Sequence, residues 1–292
     1  MDRFDALFEK YDMNLDACQI QEDVKKILLD QYDKYNQKAI YSQILSMVDI
    51  TSLNPTDSVK SITDFVEKIN KFDTKFEILP HPAAICIYPK FVQTVKDNLM
   101  EDMEIASVAG GFPDANTFIE VKVAEVAMAV MEGATEIDVV IPSGMVISGE
   151  YEEIYEDLQE IKAACRDAKL KVILETGVLM DPVLIKKASL VAMNAGADFI
   201  KTSTGKVSIG ATYEAVYVMA KAAAEYNALN NTKVGIKVAG GVSTTEQAVS
   251  YYAIVASILG DEWLNPNLFR FGASRLVNAL ISSLSGSEVK YF

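Results

Sequence analysis

The chain has 292 residues, half of them apolar and 23% charged, which suits one large domain or two ordinary ones and excludes a disordered tail, a disulfide-stapled miniprotein or a fibre. Its 27 basic and 41 acidic residues leave a net charge of −14, which argues against nucleic-acid binding through a basic face and makes any anionic ligand depend on local positive charge. One histidine, His81, and three scattered cysteines, Cys18, Cys86 and Cys165, point to a reducing compartment and remove Ser-His-Asp triads and His-rich metal sites, so lysine, carboxylate, hydroxyl or thiol must carry any chemistry.

Asp2, Asp5, Glu9, Asp12 and Asp16 interrupt any signal-peptide core, no apolar run approaches the ~20 residues of a membrane span, and a cytoplasmic location is expected. Residues 1–40 read as a helical extension packed on the main domain. Phe4, Leu7, Phe8 and Tyr11 form one apolar stripe, and Val24, Ile27, Leu28, Tyr32 and Tyr35 another at helical spacing.

From Met47 short β-branched runs alternate with longer amphipathic stretches. Strands are expected at 47–50, 83–88, 104–108, 136–141, 171–175, 198–202, 234–238 and 269–272. Helix start signals follow several of them: Asp181-Pro182 places proline at a first helical position, and Ser243 with Glu246 reads as a capping box. Ile154, Leu158, Ile161 and Cys165 make a core stripe on the fourth of these helices. Eight strand–helix repeats in roughly 240 residues fit a closed (β/α)8 TIM barrel over 41–284, a fold of usually about 250 residues. An open doubly wound sheet would bring a glycine fingerprint after its first strand, and none is present. Thr204-Gly205-Lys206 mimics the end of a P-loop, but Ile200 stands where its first glycine belongs and Val207 where Ser or Thr must follow.

Barrel strands, buried on both faces, should be nearly pure Val, Ile and Leu. Polar residues break that rule toward the strand ends where barrel active sites lie: Asp49, Asp138, Glu175, Lys201 and Lys237, with Cys86 on the second strand. Unpaired, these would be costly to bury; converging at one mouth, they mark a functional site. A lysine of pKa about 10.4 is almost wholly charged at neutral pH. Burial and a second ammonium both favour the neutral, nucleophilic amine, and Lys201 and Lys237 on neighbouring strands are placed for this. Such an amine forms a Schiff base with a carbonyl, an electron sink for making or breaking C–C bonds, and Asp138 is the candidate proton shuttle. Ala239-Gly240-Gly241-Val242-Ser243 and Gly272-Ala273-Ser274-Arg275 open the last two helices, where barrels hold phosphate; Lys206 and Arg275 supply cations. A phosphorylated carbonyl compound is the implied substrate.

The stretches ADFIKTSTGK (from Ala197), GIKVAGG (from Gly235), EIDVVI (from Glu136), AICIYP (from Ala84), KVILETG (from Lys171) and FGAS (from Phe271) resemble the deoxyribose-phosphate aldolase family, in order from Ile44 to Leu284. The resemblance implies a metal-independent class I aldolase barrel without cofactor, splitting 2-deoxy-D-ribose 5-phosphate into acetaldehyde and D-glyceraldehyde 3-phosphate. By position, Lys201 is the implied nucleophile, Lys237 the second lysine that depresses its pKa, Asp138 the acid/base and Asp49 the partner of Lys237. Cys86 and Thr202 would line the pocket, and Gly205, Lys206, Gly240, Gly241, Gly272 and Ser274 would hold the phosphate. Val238, Ser243 and Arg275 depart from the family's common Pro, Arg and Ser; Arg275 either replaces the missing arginine or faces solvent. Some members end in a tyrosine carried into the site by a flexible tail, and here residues 285–292 are expected to be such a tail, with Tyr291 as a candidate proton donor. The expected partners are small phosphosugar and aldehyde substrates and a second copy in a homodimer, with no nucleic acid and no membrane. A metal-dependent aldolase or isomerase, or a non-catalytic phosphosugar-binding barrel, are the alternatives.

Overall fold

The computed structural model describes residues 3–292. Eight parallel strands close into a barrel in chain order: β1 (Val48–Thr51), β2 (Ala84–Ile87), β3 (Glu104–Ala109), β4 (Glu136–Val140), β5 (Lys169–Ile173), β6 (Phe199–Lys201), β7 (Gly235–Ala239) and β8 (Phe269–Gly272). Each falls on or within two residues of an expected run. This is the (β/α)8 TIM barrel. Outward-facing Val48, Ile50, Ile85, Ile87, Val172 and Ile236 pack against the helices in one continuous apolar core that includes Cys165.

Among the described residues three helices precede the barrel: α1 (Arg3–Phe8), α2 (Ala17–Tyr35) and α3 (Lys38–Leu45). Phe4 and Phe8 of α1 pack against Tyr151 and Tyr155 at ring separations of 5.1 to 6.2 Å. The Asp16 carboxylate caps α2 by accepting from the Gln19 amide at 2.8 Å. Tyr217 donates to Asp23 of α2 at 2.7 Å, and Tyr35 meets Tyr252 edge-on at 5.1 Å. The extension therefore lies on the barrel's outer helices, and its last helix runs past residue 40 to Leu45. No helix of the described residues is long and apolar enough to cross a membrane.

The chain end departs from the expected flexible tail. The final helix stops at Ser285, capped by Gly286 in the left-handed region. The Asn278 side chain holds the last two residues, accepting from the amides of Tyr291 and Phe292 at 2.8 and 3.0 Å and donating to the Phe292 carbonyl at 2.7 Å. Both rings pack against Phe72 of the short helix after Val59–Asn70, and the Tyr291 hydroxyl donates to the Lys68 carbonyl at 2.6 Å. That segment leads into the start of β2, so Tyr291 sits at the end of the barrel opposite the strand C-termini. Local amide capture and aromatic packing override the Ser-Gly-Ser composition that suggests mobility. Removing Tyr291 and Phe292 is expected to lower Tm by roughly 2–4 °C per kcal/mol of lost packing, while turnover of the expected substrate stays within twofold; calorimetry and initial rates check this.

Candidate active site

Side chains alternate along each strand, and the register brings the inward set into layers. Asp49, Ala106, Lys171 and Lys237 come from the odd strands; Cys86, Asp138, Lys201 and Gly272 lie above them from the even strands, with Glu136 and Arg270 below. Lys201 and Lys237 are direct partners across β6 and β7, Lys237 faces Arg270 across β7 and β8, and Asp138 faces Lys171 across β4 and β5. Seven ionisable side chains thus form one column, each at most 3% exposed.

The column is held by short contacts. Lys201 Nζ and Lys237 Nζ both donate to Asp138 Oδ2, at 2.7 and 2.8 Å. Lys237 also pairs with Asp49 Oδ2 at 2.5 Å. Lys171 donates to Glu136 and, at 3.2 Å, to Asp138 Oδ1. Arg270 donates to Asp49 Oδ1 at 2.6 Å and to Glu136 Oε1 at 3.0 Å. Gly272 gives Lys237 its room, because a Cβ there would lie 3.2 Å from Lys237 Cε and 2.9 Å from Ala239 Cβ.

Among these buried groups four basic side chains (Lys171, Lys201, Lys237, Arg270) face three carboxylates (Asp49, Glu136, Asp138); Lys169, partly exposed below, comes no nearer to Glu136 than 3.9 Å. One cation is therefore in excess, and the position of Lys201 identifies it. Burial and then the Lys237 ammonium push the Lys201 amine below the ordinary lysine range, against the pull of Asp138. For Lys237 the same burial is outweighed by Asp138 and Asp49, and its pKa is raised. Lys171 and Arg270 are also buried yet shifted upward by their carboxylates. Asp138 and Asp49, despite burial, are held below the carboxylate range, Asp138 by its three lysines and Asp49 by Lys237, Arg270 and Lys171. Burial pushes the Cys86 thiol up, so it stays protonated.

Lys201 is the member of the column that reaches a cavity of about 390 Å³ at the strand C-termini. The cavity also gathers Gly205, Lys206, Gly240, Gly241, Ser243, Gly272, Ser274 and Arg275. Gly240 and Gly241 adopt φ of +91° and +84°, a turn that L side chains resist. The helix Ser274–Ser285 opens onto the cavity with no side-chain cap on its first amides, leaving donors for an anion. Exposed Arg275 stands on its first turn, and Lys206 Nζ crosses to the Leu53 carbonyl. Other polar groups are already committed. Ser274 Oγ accepts from the Thr51 amide and donates to its carbonyl, both at 2.7 Å, and the Gly205 amide donates to Ser203 Oγ at 3.0 Å. Glu175, at φ +54°, accepts from Ser203 Oγ at 2.6 Å and from the Thr204 hydroxyl, fixing the loop that carries Lys206.

The cavity does not include every expected residue. Cys86 lies inside the barrel and Thr202 is fully buried, its hydroxyl bridging the Ala239 carbonyl and amide at 2.8 Å. Tyr291 lies at the opposite end. A reading confined to strand ends misses Glu136, Lys171 and Arg270, although they carry the same signal, a charged side chain at an inward position of an apolar strand.

The profile of the DeoC/LacD family aldolases matches residues 43–279. The chain belongs to this family. A curated Caenorhabditis elegans protein named as a candidate deoxyribose-phosphate aldolase is 38% identical over 97% of this chain and 94% of its own length. A solved structure described as an aldolase is 29% identical, covers 83% of this chain and 96% of its own, and superposes with a TM-score of 0.68. The fold is shared with a Toxoplasma gondii crystal structure at 21% identity, 85% and 95% coverage and a TM-score of 0.76. This DeoC/LacD family aldolase is accordingly a carbon–carbon lyase acting on small molecules.

The charge count separates the lysines by their effect on stability. Lys171→Met breaks the buried pairs with Glu136 and Asp138 and leaves Glu136 with Arg270 as its one buried cation, which is expected to cost about 3–5 kcal/mol in urea unfolding, whereas Lys201→Met removes only one of the three lysines around Asp138 and is expected to cost less than about 1 kcal/mol or to stabilise. The folded state holds the Lys201 amine less protonated than the unfolded chain does, so that group's unfavourable contribution fades as pH rises toward the unfolded value. Any advantage of Lys201→Met should shrink between pH 7 and 10.

Proposed function

We propose that the protein is a deoxyribose-phosphate aldolase that cleaves 2-deoxy-D-ribose 5-phosphate reversibly through a Schiff base on Lys201, without metal or other cofactor. The observation that carries this reading is the convergence of Lys201 and Lys237 on one oxygen of Asp138 at the floor of a glycine-lined cavity. The neutral Lys201 amine adds to the C1 aldehyde of the open-chain sugar, and loss of water gives the iminium. A base takes the proton of the C3 hydroxyl, the C2–C3 bond breaks, and its electron pair moves into the iminium to give an enamine. D-Glyceraldehyde 3-phosphate leaves; protonation at C2 and hydrolysis release acetaldehyde and restore the amine. Asp138, held ionised by its three lysines, is assigned the proton transfers at Lys201 with a bound water. Burial and Lys237 lower the Lys201 pKa and so raise the share of neutral amine, and Asp49 fixes Lys237.

Phosphate is assigned to the amides at the start of Ser274–Ser285 and the Gly240-Gly241 turn, with Lys206 and Arg275 as its cations. Ser274 contributes its amide, since its hydroxyl is occupied. Cys86 and Thr202 are assigned supporting places behind the lysines, and Tyr291 is given no part. The proposal extends to a cytoplasmic, homodimeric enzyme of deoxyribonucleotide breakdown.

Borohydride added with acetaldehyde should attach a reduced two-carbon unit to Lys201, read by peptide mass. Absence of the adduct, or full activity in Lys201→Ala, would refute the assignment, and loss of activity on chelation would point to a metal-dependent aldolase instead. Arg275→Ala should raise KM for the phosphorylated sugar roughly tenfold, about 1.4 kcal/mol, without changing KM for unphosphorylated 2-deoxyribose. Equal effects on both would place Arg275 outside phosphate binding.

A further inference from the structure

The single histidine takes no part in the barrel mouth. His81 lies in the connection leading into β2, at the other end of the strands. Its Nε2 is 2.5 Å from Asp73 Oδ1 and 3.6 Å from Glu101 Oε2. Asp73 belongs to the short helix Phe72–Lys75 before β2, and Glu101 to the connection before β3. One donor atom from each residue lies within 4.8 Å of the other two. Both ring nitrogens are enclosed, and neither makes a hydrogen bond. An ordinary His–carboxylate pair would satisfy at least one nitrogen through a well-directed N–H; here the carboxylate oxygens crowd Nε2 without doing so.

We infer that His81, Asp73 and Glu101 form a binding site for one divalent transition-metal ion, with zinc as its archetype. One imidazole and two carboxylates are a donor set that zinc and its neighbours accept, whereas magnesium and calcium favour all-oxygen shells. Donor–metal bonds of about 2.0–2.2 Å place neighbouring donors roughly 3 Å apart, so Asp73 has to withdraw from Nε2 by less than about 1 Å. Asp73 is 54% exposed in its side chain, which gives an ion access from solvent and leaves room for water to complete the shell.

The ion has a structural part to play. Phe72, next to Asp73, touches the His81 ring at 5.7 Å and the rings of Tyr291 and Phe292 at 6.1 and 6.3 Å. Metal held there clamps the connections entering β2 and β3 and steadies the seat of the chain end, far from Lys201.

The full-length protein, stripped with chelator and dialysed, is titrated with Zn²⁺ alone against a competing chromophoric chelator. The imidazole ring is followed by NMR, where a single histidine leaves no ambiguity. The expected result is one equivalent bound, with the ring signals shifted at saturation. Asp73→Asn and Glu101→Gln should each weaken binding at least tenfold, and Cys18→Ser should not. Bound Zn²⁺ should slow proteolytic loss of the last residues severalfold and leave the aldolase rate unchanged. Ring signals unmoved at one equivalent, or equal Zn²⁺ binding by His81→Gln, would overturn the assignment, and the ring titration decides it on the native chain even if a variant fails to fold.

Discussion

The barrel depends on a column of buried charge with one cation more than its carboxylates can neutralise. Interiors of such barrels are normally packed with branched apolar side chains; here Arg270, Glu136, Lys171, Asp49, Lys237, Asp138 and Lys201 occupy successive inward positions. Each carboxylate pairs with at least two cations, and Lys171, Lys237 and Arg270 each pair with at least two carboxylates. Lys201 alone ends the column, with Asp138 as its one carboxylate partner and a cavity above it. The charged form of that amine is the one the interior supports least, and its pKa is lowered. The lowered pKa of Lys201 is therefore a consequence of how the interior is balanced, and the other six groups of the column do not line the cavity.

The acidity of the whole chain sets the second constraint. At a net charge of −14 an anionic substrate is repelled at a distance, so attraction must be short-ranged. In the proposed reading, uncapped amides at the start of Ser274–Ser285, the Gly240-Gly241 turn, Lys206 and Arg275, which gather at one rim, supply it. Glu175 organises that rim by binding Ser203 and Thr204. The rim and the column meet at Lys201, which lines the same cavity as Lys206 and Arg275.

Much of this is legible in the residues themselves. Short β-branched or aromatic runs mark the eight strands, because barrel strands are covered on both faces and cannot hide that composition. Polar residues in those runs mark Lys201, Lys237, Asp138 and Asp49. Glu136 and Arg270 give the same signal from the layer below, where chemistry is not expected, and Lys171 gives it from the layer of Asp49 and Lys237. The rest stays hidden because it depends on contacts distant in sequence. Thr202 beside Lys201 reads as a pocket residue, but its hydroxyl is spent on Ala239 across β6 and β7. Tyr291 comes after a Ser-Gly-Ser stretch that suggests mobility, yet Asn278 and the Phe72 ring hold it at the far end.

The central claim is that Lys201 titrates below ordinary lysines while Lys237 and Lys171 do not. Competitive acylation with isotopic anhydride across pH 6 to 11, read peptide by peptide in the free protein, measures this directly. The account predicts a Lys201 midpoint below 10.5, with Lys171 and Lys237 unreactive throughout that range. A Lys201 midpoint at or above that of the exposed surface lysines would contradict it.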